Sequence, residues 1–186
     1  MKQISHLEQD IRSKVNRYRL YDKHFQNSLD EWAALCVAMD TLGDTCLALE
    51  TYEASGLGKD CRDQYLRMYG FFQAVFLQQD SIRQLYRTFL HSQLQININS
   101  AWQQLRDLRN LTVGHPIEKK NKRGIERCLI SRAMIRNNGL QLIVWEQSRN
   151  RDSIENINLA HLYKECKSEA ISYLNRISQS FNNQSK

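Results

Sequence analysis

The chain's 186 residues, 41% hydrophobic with one proline and seven glycines, fit a single mainly α domain large enough to bury about 70% of the surface its unfolded form exposes. The longest apolar run, WAALCVAM from Trp32, falls far short of the roughly 20 residues that span a bilayer, and the N-terminus has no apolar signal core, so no membrane partner is expected. Five scattered cysteines without a C-x-x-C pair argue against a disulfide framework or zinc site and for a reducing cytoplasm, while the net charge of +6 favours acidic partners.

Ile4, Leu7, Ile11, Val15 and Tyr18 recur at spacings of three and four, which predicts an amphipathic first helix over residues 4–20. Ser28 and Glu31 have the spacing of a capping box and open a second helix through Leu35, Met39, Leu42, Cys46 and Leu49. Its Asp40 and Asp44, one turn apart, read as exposed or arginine-paired carboxylates ahead of a metal or acid-base pair. Residues 60–90 read as the longest helix, apolar nearly all round, so it needs cover from neighbouring helices and from a second subunit. Its aromatic residues read as core rather than as a base-stacking platform.

Asn99 or Ser100 caps a fourth helix that turns Trp102, Leu105 and Leu108 inward and carries Arg106, Arg109 and Asn110 on another face. This helix stops at Gly114-His115-Pro116, because proline disfavours the α conformation at His115 and Gly114 can take a left-handed turn. On an ideal helix Arg109 and His115 lie about 240° apart, so unwinding at Gly114 is needed to bring them together. A basic loop follows with Lys119, Lys120, Lys122 and Arg123. Between positions 106 and 136 nine basic residues face three acidic ones, an excess equal to the whole net charge. The run is either a solvated loop or, beside His115, a phosphate-binding one. CLISRAMIR and LQLIVWEQ flank Asn137-Asn138-Gly139, a hairpin signal over about 127–147. Residues 150–158 read as a loop, and a last helix carries Leu159, Leu162, Tyr163, Cys166, Ala170, Ile171, Leu174 and Ile177 inward. The domain spans residues 1–180, and the polar sequence after Ser178, including 181–186, reads as a disordered tail.

The segment Arg109-Asn110-Leu111-Thr112-Val113-Gly114-His115 resembles the R-x(4–6)-H signature of the HEPN superfamily. The resemblance implies a HEPN-like helical bundle over roughly residues 5–180, here with a β-hairpin inserted between the motif helix and the last helix. It also implies a homodimer that in many members cuts RNA without a metal, arginine and histidine meeting at a cleft between subunits. A toxin or phage-defence role with a protein antitoxin as partner fits the same resemblance. Toxins of this kind that a nucleotidyltransferase silences carry tyrosine two places after the histidine; here Ile117 stands there, which puts that route in doubt.

The chemistry follows from the residue types. RNA supplies its own nucleophile, the 2′-hydroxyl, so a nuclease needs only a proton carrier and positive charge for the phosphate. An unperturbed histidine titrates near 6.5 and suits the first task; arginine holds two phosphate oxygens and stays charged. His115 and Arg109 are thus the candidate catalytic pair, with Asn110 to orient the hydroxyl or phosphate. Arg106, Lys119, Lys120, Lys122 and Arg123 are the candidate RNA-binding cations. No metal and no cofactor are expected, and no G-x-S-x-G elbow, phosphate-binding glycine loop or H-E-x-x-H is present. Two other readings use the same residues: a non-catalytic module that binds nucleic acid or a nucleotide, and a plain helix stop beside a surface arginine.

Overall fold

The computed structural model describes residues 1–122 and 124–183. The fold is mainly helical with one small four-stranded antiparallel sheet. Helix α1 spans Lys2–Arg17, α2 Leu29–Ser55, α3 Cys61–Leu90, α4 Ala101–Arg109 and α5 Leu159–Asn183. Helix α1 stops short of residue 20 because Arg19 turns to positive φ, and a π-turn over Tyr21–Phe25 leads into α2. Ser28 stands at the N-cap of α2, but its side chain makes no capping hydrogen bond, so the expected capping box is not formed. Asp60 does cap α3, its carboxylate accepting from the amides of Arg62 and Asp63.

Helices α2 and α3 form the most extensive helix pair, and α5 packs on α1, α3 and α4. By length and composition alone α2 is apolar enough to cross a membrane; in this fold Leu35, Met39, Leu42, Cys46 and Leu49 bury one face of it in the core. Asp40 pairs with Arg12 at 3.0 Å and is otherwise exposed. One apolar core runs from Ile4 of α1 through α2 and α3 to Leu142 of the sheet and Leu174 of α5. Most α3 aromatics lie in it, but Leu66, 74% exposed, with Tyr69 and Leu77, remains outside on α3.

The sheet is larger than a hairpin. Strands β1 (Lys119–Asn121), β2 (Gly124–Ile130), β3 (Leu140–Glu146) and β4 (Arg151–Ile157) pair in sequence order. Both missed strands are edges. An edge strand keeps one side of its backbone in water and is protected by charge, so Lys119 and Lys120 in β1 and Arg151, Asp152 and Glu155 in β4 gave polar segments that read as loops. Arg136 and Gly139 close the turn between β2 and β3 through a pair of backbone hydrogen bonds. Gly139 keeps an ordinary negative-φ backbone; glycine is needed there because a Cβ would overlap the Ile157 carbonyl.

The polar C-terminal segment is likewise not a tail from Ser178 onward. Helix α5 continues to Asn183, with Phe181 buried against Phe89 at 4.7 Å. The Ser178 hydroxyl donates to Asp10 and accepts from Lys14. One aromatic anchor in a polar sequence is enough to hold the last turns. Residues 184–186 of the expected tail lie outside the described residues.

Candidate nucleic-acid site at the end of α4

Helix α4 is short and fixed from three directions. Ser100 Oγ caps it by accepting from the Gln103 amide at 3.2 Å, and Glu169 of α5 accepts from the Ala101 amide at 3.1 Å. Trp102, 1% exposed, stacks edge-on against Tyr173 at 5.2 Å. Its carbonyl accepts from Gln79 of α3 at 2.9 Å. The helix therefore presents its last turn at a set angle, and Arg106 and Arg109 leave that turn toward α3.

Both guanidinium groups lie over the ring of Phe76, each 4.1 Å from its centroid. Cations are attracted to the face of an aromatic ring, so Phe76 holds the two arginines together in spite of their like charge. Their remaining partners differ. Arg106 pairs with Asp80 at 2.8 Å, which neutralises much of its charge. Arg109 donates from Nε and Nη2 to Gln73 Oε1, at 3.3 and 3.0 Å, and from Nη1 to Asn110 Oδ1 at 3.1 Å. Gln73 and Asn110 are neutral. Among the described residues no carboxylate pairs with Arg109, so its full positive charge is held in position and uncompensated.

The helix does not end by a left-handed turn at Gly114. It widens instead into a π-turn over Asn110–Gly114, closed by the His115 amide donating to the Asn110 carbonyl at 2.8 Å. Insertions of this kind re-aim side chains and recur at functional sites. Thr112, buried, donates from its hydroxyl to the Leu108 carbonyl at 2.7 Å, and Pro116 denies His115 the α conformation. The turn thus absorbs the helix end without reversing φ. Gly114 has a different reason to be glycine: a Cβ there would lie 3.0 Å from Arg109 Nη1. The arginine folds back onto Gly114, the residue directly before His115.

His115 is exposed, and among the described residues no side chain hydrogen-bonds its ring. The chain beyond it is anchored, since the Cys128 amide of β2 donates to the Pro116 carbonyl at 2.8 Å. Ile117 is 81% exposed. Lys119 and Lys120 lie on β1 and not in a loop. Lys119 is 3.8 Å from Glu126 and Lys120 is 3.4 Å from Glu118, surface pairs of the weak kind that a phosphate can displace. Lys122 is exposed at the β1–β2 turn; Arg123 lies outside the described residues.

Arg109 is thus bonded to Asn110 and packed on Gly114 of the turn that carries His115, with the basic edge strand following. Gln73, Phe76 and Asp80, which aim the arginines, escaped sequence reasoning. Their spacing along α3 puts them on one face beside Tyr69, and the only signal was a polar pair flanking an aromatic on a helix otherwise read as core. All five cysteines are free thiols, and among the described residues no cluster of His, Cys, Asp or Glu could hold a metal ion. No protein-family model, no curated protein and no solved structure matches this chain.

Proposed function

We propose that this chain is a metal-independent RNA endonuclease of HEPN type, working as a homodimer in a toxin or phage-defence setting with room for a protein antitoxin. The observation that carries this reading is the Arg109 guanidinium, uncompensated and packed against Gly114, with exposed His115 next in the chain. Arg109 holds the scissile phosphate by two of its oxygens. His115 accepts the 2′-hydroxyl proton; the 2′-oxygen bonds to phosphorus as the P–O5′ bond breaks. A second His115 from the partner subunit donates a proton to the departing 5′-oxygen. The products are a 2′,3′-cyclic phosphate and a 5′-hydroxyl. Asn110, fixed by its bond to Arg109, orients the phosphate. Arg106 acts through Phe76 to position Arg109.

The dimer reading is supported by α3. Leu66 and Leu77 are eleven residues apart, about 20° from each other around the helix axis, and both are exposed, an apolar line on the element that presents Gln73 and Phe76. The free thiols suit a reducing cytoplasm. The second reading, a binding module of the same fold, is favoured by the lack of any described partner orienting the His115 ring. Cleavage of RNA in excess EDTA separates the two: intact but bound RNA leaves only the module.

Two expected results follow from the site's geometry. Gly114→Ala pushes Arg109 Nη1 away by a few tenths of an ångström, and cleavage falls roughly 10-fold with little change in melting temperature, measured by single-turnover kinetics alongside calorimetry. Replacing Lys119, Lys120, Lys122 and Arg123 together by serine flattens the slope of log affinity against log salt by about 3, at roughly 0.7 per phosphate contact on a single strand. Affinity should weaken alike across RNA sequences, since phosphate contacts carry little sequence information. An unchanged slope shows that the β1–β2 edge does not touch RNA.

A further inference from the structure

A groove of about 630 Å³ opens beside the motif turn, between the first half of α3 and strand β2. Its lining includes Tyr65, Tyr69, Pro116, Ile130, Ser131 and Arg132. Pro116 follows His115 directly and Thr112 lies in the motif turn, so one end of the groove adjoins that turn. The Tyr65 hydroxyl donates to the Ile130 carbonyl at 3.3 Å, which fixes that ring. The Tyr69 ring lies 6.1 Å away at a 51° tilt and keeps 43% of its surface in solvent. Arg132, exposed, stands beside the Tyr65 hydroxyl at the far wall.

A half-exposed aromatic ring, with Arg132 on the same lining and the motif turn adjoining at Pro116, offers a place for a base and for the phosphate beyond it. The volume lies within the range of small-ligand sites, and an aromatic face binds any base by stacking. A base paired within a helix cannot enter, because its faces are covered by neighbours. Tyr69 lies about 60° around α3 from Leu66, at the edge of the proposed subunit contact and on the side of the motif turn. We infer that this groove is a base-stacking subsite, in which an unpaired base next to the scissile phosphate lies on Tyr69 while Arg132 takes the following phosphate. The inference rests on the ribonuclease reading for the position of the phosphate, and it turns Tyr69 from a core aromatic into a substrate-positioning residue.

The test measures binding with a probe that cannot be cut, a short 2′-O-methyl RNA labelled for fluorescence anisotropy, offered single-stranded and as its duplex to the full-length protein. Wild type should prefer the single strand. Tyr69→Leu, which keeps apolar volume and removes the aromatic face, should lose roughly 5- to 100-fold in single-strand affinity with duplex affinity unchanged. Tyr69→Phe should restore it, and sedimentation should show the same oligomeric state for all three. Cleavage of ordinary RNA is scored separately. Cleavage by wild type with no effect of Tyr69→Leu on binding overturns the subsite and leaves the ribonuclease reading standing. Tyr69-dependent binding without cleavage keeps the groove as a base site and removes the ribonuclease reading. Absence of binding to either probe overturns both.

Discussion

His115→Ala is expected to lower RNA cleavage by about 10²- to 10⁴-fold, the range that general acid-base catalysis supplies, and to leave RNA affinity and melting temperature nearly unchanged. The separation of the two effects comes from the structure. The His115 ring is exposed and holds no described side chain in place, so its removal opens no cavity and strands no buried polar group. Backbone interactions define the turn: the bond from the His115 amide to Asn110 and that from the Cys128 amide to Pro116, neither of which needs the imidazole. Arg109→Ala should behave differently. It removes the phosphate ligand together with the stack on Phe76 and the bonds to Gln73, so affinity and cleavage fall together, with about 0.5–1 kcal/mol of stability lost at a half-exposed cation–π contact. Arg109→Lys should recover affinity in part and cleavage poorly, since a lysine cannot grip two oxygens with a planar fork. If His115→Ala unfolds the protein or cuts at the wild-type rate, the histidine is only part of a helix stop.

The largest stability loss is expected at Trp102. Truncation to alanine of a fully buried tryptophan costs about 3–5 kcal/mol, a large share of the 5–15 kcal/mol that typically holds a domain together. For a chain of this size that corresponds to a fall in melting temperature of about 6–20 °C. Among the described residues the indole N–H has no hydrogen-bond partner, so the Trp102 side chain is held by packing alone, edge-on against Tyr173. Trp102→Phe should therefore retain much of the stability. Because α4 is set by this contact and by Gln79 and Glu169, Trp102→Ala should also lower cleavage in the fraction that remains folded. A change below about 1 kcal/mol in thermal or denaturant melts would mean that something other than Trp102 fixes α4.

The helices were legible because their apolar residues follow a 3.6-residue period: Ile4, Leu7, Ile11 and Val15 in α1, and Trp102 and Leu105 in α4, are buried as that period requires. Strands β1 and β4 were not legible. At a sheet edge, lysine, arginine and aspartate protect the exposed backbone, and their polarity hides the alternation. Phe181 shows the same problem at the C-terminus, where one buried ring outweighs a polar neighbourhood. In the site, Arg109, Asn110 and His115 stood out by spacing, and the need for a break in the helix before His115 was clear from Gly114 and Pro116. The form of that break was not. The π-turn is accompanied by the bond from Thr112 to the Leu108 carbonyl and by contacts with α3 and β2, and no local preference separates it from a left-handed stop. Gln73 and Phe76 were out of reach for another reason: Gln73 meets Arg109 across 36 positions of sequence, a contact that only the packing of α4 on α3 creates.

The end groups left on RNA test the central claim most directly. Purified protein is incubated with a defined RNA in excess EDTA, and the fragments are identified by mass spectrometry. The account predicts fragments with 2′,3′-cyclic phosphate and 5′-hydroxyl ends, produced without added metal and lost in His115→Ala. Fragments with 3′-hydroxyl and 5′-phosphate ends, cleavage that EDTA abolishes, or RNA that stays intact at every protein concentration would contradict it.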